Sequence, residues 1–276
     1  MNDAPLVLLH GFTGDPSSWD AVVAELAVAR RLIRPALVGH RGGPTADTST
    51  TWEGEVERLG AIVEIEARPG ARGVVLAGYS LGARLALAVA LARPPSIARL
   101  VLVSPSAGIE HDGERAQRRQ DDDALAASIA ERGLFSFVER WEALPLFATQ
   151  ESLPPDVRAA HRARRLAQDA NSLAASLAAL SKGRMPWLLP AAAAVEVETV
   201  LVVGELDAAA VEAAARMQAA FRRARTVHVS GAGHDLCLER PDVVAAALAA
   251  SAPVARGTTR ARPSEPIDRP TMEDPT

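Results

Sequence analysis

The sequence predicts an α/β fold in which helices cover both faces of a mostly parallel sheet. Short apolar runs of strand length alternate with longer helical segments along most of the chain. The runs at residues 5–10, 73–77, 97–104 and 198–204 are apolar almost throughout, which is typical of parallel strands buried on both faces. Only helical patterns fill residues 108–190, so we expect a helical insertion between two parts of the core.

Strands and helices alternate regularly in the first part of the chain. The expected strands are residues 5–10, 31–37, 73–77 and 97–104, and the expected helices are residues 19–29, 51–68 and 83–92. Ser17 or Ser18 can cap the first of these helices, and Pro94 ends the third. Pro35 is unfavourable inside the second strand because proline has no N–H to donate.

The middle of the chain predicts a helical cap. Helical patterns occupy residues 114–132, 134–142, 156–168 and 172–182. A cap above the carboxyl ends of the strands would exclude water from a site there and supply substrate contacts. The expected domains are therefore a core of residues 1–107 and 191–252 and a cap of residues 108–190.

The α/β pattern resumes after the cap. It predicts strands at residues 198–204 and 225–230, a helix at 208–222, and a closing helix at 241–250 with proline in its first turn. Residues 253–276 carry five prolines, few apolar residues and mixed charge, so we expect a disordered tail.

The turn at residues 78–82, with the sequence GYSLG, is the strongest functional signal. A strand precedes it and a helix rich in alanine and leucine follows, so Ser80 lies where a strand turns sharply into a helix. Side chains at Gly78 or Gly82 would collide in so tight a turn. This context fits the G-x-S-x-G nucleophile elbow, which presents a serine hydroxyl beside the backbone N–H groups of a helix start.

Two more residues are expected to activate Ser80. A serine hydroxyl needs a histidine to take its proton, and that histidine needs a carboxylate to fix its tautomer. Asp207 follows one strand and His234 follows the last, in the chain order serine, acid, histidine that such elbows use. Asp207 alone would also fit a helix N-cap. Asp235 is a competing carboxylate. Because it directly follows His234 in the sequence, its side chain is expected to be too close to reach the imidazole nitrogen that faces away from Ser80.

The loop after the first strand supplies half of a predicted oxyanion hole. The backbone N–H groups of Phe12 and Leu81 are expected to bind an oxygen that gains negative charge beside Ser80. Gly11 permits the close approach of the loop. A simple tight turn at residues 10–14 is the alternative interpretation.

Composition limits the partners that we expect. The net charge of −4 does not suggest a nucleic-acid-binding protein, and no apolar run approaches the roughly 18 residues of a membrane span. Cys237 is the only cysteine, which excludes an internal disulfide, and no signal-peptide pattern is present, so a cytoplasmic location is expected. We expect a small-molecule substrate, and we expect neither a cofactor nor a metal ion. The oligomeric state stays open. Lys182 is the only lysine among 30 basic residues.

Three motifs resemble the α/β-hydrolase superfamily: residues 10–14 (HGFTG), 78–84 (GYSLGAR) and 231–234 (GAGH). Within it, residues 5–250 most resemble the 2-succinyl-6-hydroxy-2,4-cyclohexadiene-1-carboxylate synthases of menaquinone biosynthesis. The more specific signals are Tyr79, Arg84, residues 114–121, Trp141, residues 145–147, Arg165 and residues 171–175.

The resemblance implies a lyase. The substrate of that family carries several carboxylates and an enolpyruvyl ether, and the enzymes abstract a ring proton and eliminate pyruvate. Ser80, backed by His234 and Asp207, would be the base, and no acyl-enzyme would form. This role for the serine differs from its role in the hydrolases of the superfamily, where it attacks a carbonyl.

The resemblance also implies a basic substrate pocket. In the family, arginines at the positions of Arg84, Arg118 and Arg165 form this pocket, and residues at the positions of Tyr79 and Trp141 line it. Arginine suits a polycarboxylate because the guanidinium group binds a carboxylate through two parallel hydrogen bonds. Each cap arginine has the alternative role of a solvated surface residue, and Trp141 that of a cap core residue.

The residues alone leave two other functions open. One is a carboxylester or carbon–carbon bond hydrolase in which Ser80 attacks a carbonyl, because that chemistry uses the same three side chains. The other is a binding protein without enzymatic activity on the same scaffold. The intact set of Ser80, Asp207 and His234 argues against the binding protein, which has no use for such a set.

Overall fold

A computed structural model describes residues 4–26, 30–67 and 73–249. Within these ranges six parallel strands form one sheet in the spatial order β2-β1-β3-β4-β5-β6. The strands are β1 Leu6–Leu9, β2 Leu32–Ile33, β3 Val74–Tyr79, β4 Ile97–Val103, β5 Glu198–Gly204 and β6 Ala224–Val229. The predicted α/β fold with a parallel sheet is confirmed.

Helices cover both faces of this sheet. They are α1 Asp20–Ala24, α2 Trp52–Ala67, α3 Leu81–Ala92, α4 Asp112–Glu142, α5 Pro155–Leu166, α6 Ala170–Ala179, α7 Ala208–Ala220, α8 Leu236–Glu239 and α9 Pro241–Ala249. Val7 and Leu9 of β1 pack in one apolar cluster with α2, α3 and α7, whereas Leu6 and Leu8 pack in a second cluster with α1, α8 and α9. Because side chains alternate along a strand, burial on both faces requires the continuous apolar runs seen in the sequence.

The start of the chain differs from the prediction in two places. β2 contains only two residues, since Pro35 follows it closely and proline cannot donate to a sheet ladder. The first predicted helix, residues 19–29, appears as the short α1, Asp20–Ala24, and a 3₁₀ turn at Pro16–Trp19 precedes it. Neither Ser17 nor Ser18 caps α1, because its N-cap is Trp19, which makes no side-chain cap hydrogen bond. Asp15 instead caps the 3₁₀ turn, where the Ser17 N–H donates to Asp15 Oδ1 at 2.8 Å.

Several predicted bounds reach beyond the part of the chain that the structure describes. Residues 27–29 of the first predicted helix, residue 68 of the second and residue 250 of the closing helix lie outside it. So does the tail, residues 253–276, whose predicted disorder stays a prediction. None of the helices in the described ranges is long and apolar enough to cross a bilayer.

The segment between β4 and β5 contains α4, α5 and α6, with a 3₁₀ segment at Pro145–Ser152 (together, the cap segment). The first two predicted cap helices form the single element α4, broken at Gly133, where φ is 77° and ψ is 174°. A third apolar cluster lies within the cap segment, and Phe12 from the loop after β1 packs against it. This contact brings the cap segment to the edge of the sheet where β1 and β3 end, which is where ligands bind in parallel sheets. We propose that residues 108–190 form the cap predicted from the sequence.

Candidate active site

Ser80 lies in a strained turn between β3 and α3. Its φ of 53° and ψ of −106° are unusual for a residue with a side chain, and its N–H donates to the Val103 carbonyl oxygen at 3.0 Å. A Cβ atom at Gly78 would overlap the backbone of Gly82, and one at Gly82 would overlap the carbonyl oxygen of Leu9. The turn is therefore tight enough to require glycine on both sides of the serine.

Replacing Gly82 with alanine is expected to lower the free energy of unfolding by about 1–3 kcal/mol or more, because the new methyl group would push the backbone of β1 aside. Denaturation in urea measures the change. Gly113→Ala is the matched control, since nothing lies within 4 Å of a Cβ at Gly113 in α4 and alanine favours a helix. Equal stability of the two variants would contradict this account of the turn.

His234 connects Ser80 to Asp207. Its Nε2 atom lies 3.0 Å from Ser80 Oγ, and its Nδ1 atom lies 2.6 Å from Asp207 Oδ2. When Nδ1 carries the proton and donates to the carboxylate, Nε2 is free to accept the hydroxyl proton of Ser80. The structure thus places the three predicted residues in one hydrogen-bonded chain (the relay).

Asp207 combines the two roles that the sequence left open. It caps α7, accepting the Ala210 N–H at 3.1 Å through Oδ1, while Oδ2 faces His234. Burial opposes ionisation of Asp207, but the hydrogen bond and charge of His234 outweigh it and hold the pKa of the carboxyl below its ordinary value. The competing carboxylate Asp235 instead faces His161 of α5, with Oδ2 3.6 Å from Nε2.

Two residues outside the predicted set hold the histidine loop. Ser104, just after β4, donates from Oγ to the His234 carbonyl oxygen at 2.6 Å. Glu239 accepts the Gly233 N–H at 2.7 Å. Ser104 could have been found from the sequence, because it follows a predicted buried strand at the edge where the site was expected. Glu239 could not, because its contact with Gly233 depends on how α8 packs against the histidine loop.

The relay opens into a cavity of about 260 Å³. All of the predicted site residues except Arg165 line it. Phe12 and Leu81, the predicted oxyanion-hole residues, thus share this cavity with Ser80, while Gly11 allows close packing because a Cβ there would lie 2.7 Å from the Tyr79 ring. The arrangement suits chemistry in which a group near Ser80 Oγ gains negative charge.

Three cationic residues in the described part of the chain line the cavity. Arg84 donates from Nη1 to the Leu180 carbonyl oxygen at 3.1 Å, and burial together with the nearby Arg118 lowers its pKa to about 10. Arg118 is more exposed and donates from Nε to both oxygens of Asp122 at 2.9 Å. Lys182, which the sequence analysis did not assign to the site, also lines the cavity.

Arg165 does not line this cavity, so the expectation that it forms part of the basic substrate pocket is not met. Its Nη1 atom donates to Glu142 Oε1 at 2.9 Å, and its guanidinium carbon lies 5.1 Å from the centre of the Phe147 ring. Phe147 lines the cavity, whereas Arg165 lines a neighbouring space of about 30 Å³. The pairing with Glu142, at the end of α4, holds the guanidinium group against the Phe147 ring and outside the lining of the main cavity.

Trp141 fills both roles that the sequence left open. It lines the cavity, and its ring packs against Phe12 and Phe147 with centroid distances of 5.5 and 5.7 Å. Other cap arginines are paired elsewhere: Arg162 with Glu142, and Arg164 with Ser17 Oγ at 3.0 Å. Among the cap arginines that the structure describes, Arg118 is the one that lines the cavity.

Two buried histidines support the loop that carries Phe12. His10 donates from Nδ1 to the Gly11 carbonyl oxygen at 2.8 Å and accepts the Leu37 N–H on Nε2 at 3.1 Å, a pattern that only a neutral ring can make. Burial lowers the pKa of His10 to about 4 and that of His40, whose ring centroid is 5.1 Å away, to about 3.

The free energy of unfolding is expected to fall steeply as pH decreases from 6.5 towards 4. Over this range the unfolded chain binds protons at His10 and His40 that the folded chain does not, which costs up to about 1.4 kcal/mol per pH unit for each residue. His161, with a pKa lowered by burial to about 3, adds to the loss, and Asp235, raised by burial to about 6, offsets it. Urea titrations at several pH values measure the slope.

His10→Gln is expected to reduce this slope by about one proton, since it removes one of the histidines whose pKa is lowered by burial. The reduction should appear only below about pH 6.5, where the unfolded-state ring is charged. Equal stability of the unchanged protein at pH 7 and pH 5 would show that these rings are not held neutral.

A model of the alpha/beta hydrolase family matches residues 6–247, a range that contains the sheet, the cap segment and the relay. The chain belongs to the alpha/beta hydrolase family. The match begins at the first residue of β1 and ends within α9, so it covers the whole architecture described above. The family resemblance inferred from the sequence motifs is confirmed.

Two curated relatives and one solved structure share a name or abbreviation for one activity. The chain is 33% identical over 236 residues to a Bacillus subtilis (strain 168) protein provisionally named 2-succinyl-6-hydroxy-2,4-cyclohexadiene-1-carboxylate synthase, covering 86% of this chain and 85% of that protein. It is 32% identical over 246 residues to the Salmonella agona (strain SL483) synthase of that name, covering 88% and 92%. The fold matches MenH from S. aureus with a TM-score of 0.85 and 29% identity, covering 90% and 92%.

Proposed function

We propose that this protein is a carbon–oxygen lyase of menaquinone biosynthesis. It eliminates pyruvate from 2-succinyl-5-enolpyruvyl-6-hydroxy-3-cyclohexene-1-carboxylate and gives 2-succinyl-6-hydroxy-2,4-cyclohexadiene-1-carboxylate. The observation that carries the proposal is the relay from Ser80 to Asp207 opening into a cavity lined by arginines, in a chain similar over most of its length to synthases of that product.

The relay supplies the base. His234 takes the Ser80 proton, and the serine oxygen removes the hydrogen at ring carbon 2, beside the succinyl ketone. The electron pair of that C–H bond forms a 2,3 double bond, the existing 3,4 double bond moves to 4,5, and the bond from carbon 5 to the ether oxygen breaks. The leaving group departs as the enolate of pyruvate and takes up a proton, so atoms and charge balance without a cofactor.

The surroundings of Ser80 suit the charge that develops. The ketone oxygen gains negative charge as the hydrogen leaves, and the backbone N–H groups of Phe12 and Leu81 are the proposed donors to it. Arg84 and Arg118 are the proposed partners of substrate carboxylates, since both residues line the cavity and carry guanidinium groups. A cytoplasmic location and a small polycarboxylate substrate remain parts of this proposal.

Pyruvate release from the enolpyruvyl substrate tests the function. A coupled assay that consumes pyruvate is expected to give a rate well above the spontaneous elimination measured without protein. The same preparation is assayed with a nitrophenyl ester, because an esterase built on this relay would release nitrophenol in a burst as the acyl-enzyme accumulates. Pyruvate release at the spontaneous rate, together with an ester burst, would replace the lyase by the hydrolase.

A further inference from the structure

Lys182 lies in the cavity without a role in the mechanism above. It is half-buried, follows α6 by three residues, and is the only lysine of the chain. It lines both the main cavity and an adjoining cavity of about 200 Å³, together with Ser106 and Ala209. Lys182 therefore lies at the boundary between the two spaces.

The charges around Lys182 do not balance among the residues that the structure describes. Three cations, Arg84, Arg118 and Lys182, line the main cavity with two carboxylates, Asp122 and Asp207. Asp122 already accepts from Arg118 at 2.9 Å and from the Ser181 hydroxyl at 2.7 Å. Asp207 is bonded within the relay.

Two of the three cations therefore have no carboxylate of their own in the described ranges. Arg84 donates to a backbone carbonyl, and Lys182 forms no ion pair there. A buried or half-buried cation without a counter-charge is costly, and an anionic ligand removes that cost when it binds. The cavity is thus suited to more than one carboxylate.

The titration of Lys182 agrees with this geometry. Burial and the charges of Arg84 and Arg118 lower the pKa of the ammonium group to about 8, against the opposing effect of Asp207 and Asp122. The remaining charged groups that line the adjoining cavity are Glu212 and Arg216 of α7. A bound carboxylate would favour the charged form, so binding should weaken as pH rises above 8.

We propose that Lys182 binds one carboxylate of the polycarboxylate substrate, at the boundary with the adjoining cavity, and thereby selects for a substrate with several anionic groups. This inference rests on the lyase function proposed above. It assigns Lys182 a contact separate from those of Arg84 and Arg118. The carboxylate bound by Lys182 would then lie next to the adjoining cavity.

Lys182→Met is expected to raise KM for the enolpyruvyl substrate about tenfold or more, with kcat within about twofold, because the contact is made to both substrate and transition state. Lys182→Arg should restore most of the affinity. Arg184→Met is the matched control, because it also removes one positive charge, two residues after Lys182. The Arg184 side chain pairs with Asp123 at 2.6 Å and does not line the cavity.

Two outcomes of this comparison would overturn the proposal. One is a KM of Lys182→Met within twofold of that of Arg184→Met. The other is a lower kcat with unchanged KM, which would mean that Lys182 acts through Asp207 on the relay rather than on the substrate.

Binding of propane-1,2,3-tricarboxylate, measured by calorimetry between pH 7 and 9.5, separates this inference from the lyase proposal, because the probe needs no turnover. Affinity of the unchanged protein is expected to fall up to about tenfold per pH unit above 8, and that of Lys182→Arg to stay nearly constant. Identical pH profiles for the two would overturn the inference. A Lys182-dependent profile without enzymatic pyruvate release would overturn the lyase and leave an anion site at Lys182.

Discussion

Replacing Ser80 with alanine is expected to lower kcat for pyruvate release about a thousandfold, because a positioned base contributes on the order of 10²–10⁴ in rate. In the proposed mechanism His234 acts on the substrate through the serine hydroxyl, which lies 3.0 Å from its Nε2 atom. Without that oxygen, the base that the proposed mechanism assigns to the hydrogen on ring carbon 2 of the substrate is missing. The coupled pyruvate assay measures the loss after subtraction of the spontaneous rate.

A second variant separates loss of the base from loss of the fold. Alanine is strained at the φ of 53° that Ser80 adopts, whereas glycine accepts this conformation freely. Ser80→Gly should therefore show the same loss of activity with normal folding, and both variants should bind propane-1,2,3-tricarboxylate like the unchanged protein. If Ser80→Gly folds and keeps a tenth or more of the activity, the serine is not the base.

Asp207→Asn is expected to lower kcat by a factor on the order of 10³–10⁴ while the shape of the site is kept. The carboxylate accepts from His234 Nδ1 at 2.6 Å and so leaves Nε2 as the acceptor facing Ser80. An amide NH₂ group at the same place would donate to Nδ1 and move the ring proton to Nε2. The histidine could then no longer take the hydroxyl proton.

The same substitution leaves the structural role of Asp207 in place. Its Oδ1 atom caps α7 by accepting the Ala210 N–H, and asparagine is as good an N-cap as aspartate. Asp235→Asn is the matched control, since the Asp235 carboxylate faces His161 at 3.6 Å, whereas the His234 ring is hydrogen-bonded to Asp207. We expect kcat of the control within tenfold of the unchanged protein; equal losses in the two variants would contradict the assignment of the acid.

The relay could be predicted because its constraints are local or topological. The strand at residues 198–204 was predicted with its observed bounds, since its apolar run is continuous and ends in glycine. Parallel strands bring their carboxyl ends to one edge, so Ser80, Asp207 and His234 could be brought together without coordinates. The short β2 and the cap at Asp15 were missed because they depend on one proline and on competition between neighbouring polar side chains.

The lining of the cavity was harder to predict because it depends on which charges pair. The helical pattern at residues 156–168 placed Arg165 correctly on α5, but neither this pattern nor the family resemblance could show that Arg165 pairs with Glu142 beside Phe147. Lys182 belongs to no motif, and its contribution follows from the packing of the segment after α6 against the cavity. Its being the only lysine in an arginine-rich chain was the one available signal.

A single-turnover experiment with protein in excess over the enolpyruvyl substrate tests most directly whether Ser80 is a base. Quenched samples are analysed for pyruvate and for the intact mass of the protein. We predict that pyruvate forms far faster than in buffer while the mass stays that of the free chain. A mass increase on Ser80 that forms and decays as pyruvate is released would contradict the account, and so would pyruvate formation at the rate found in buffer.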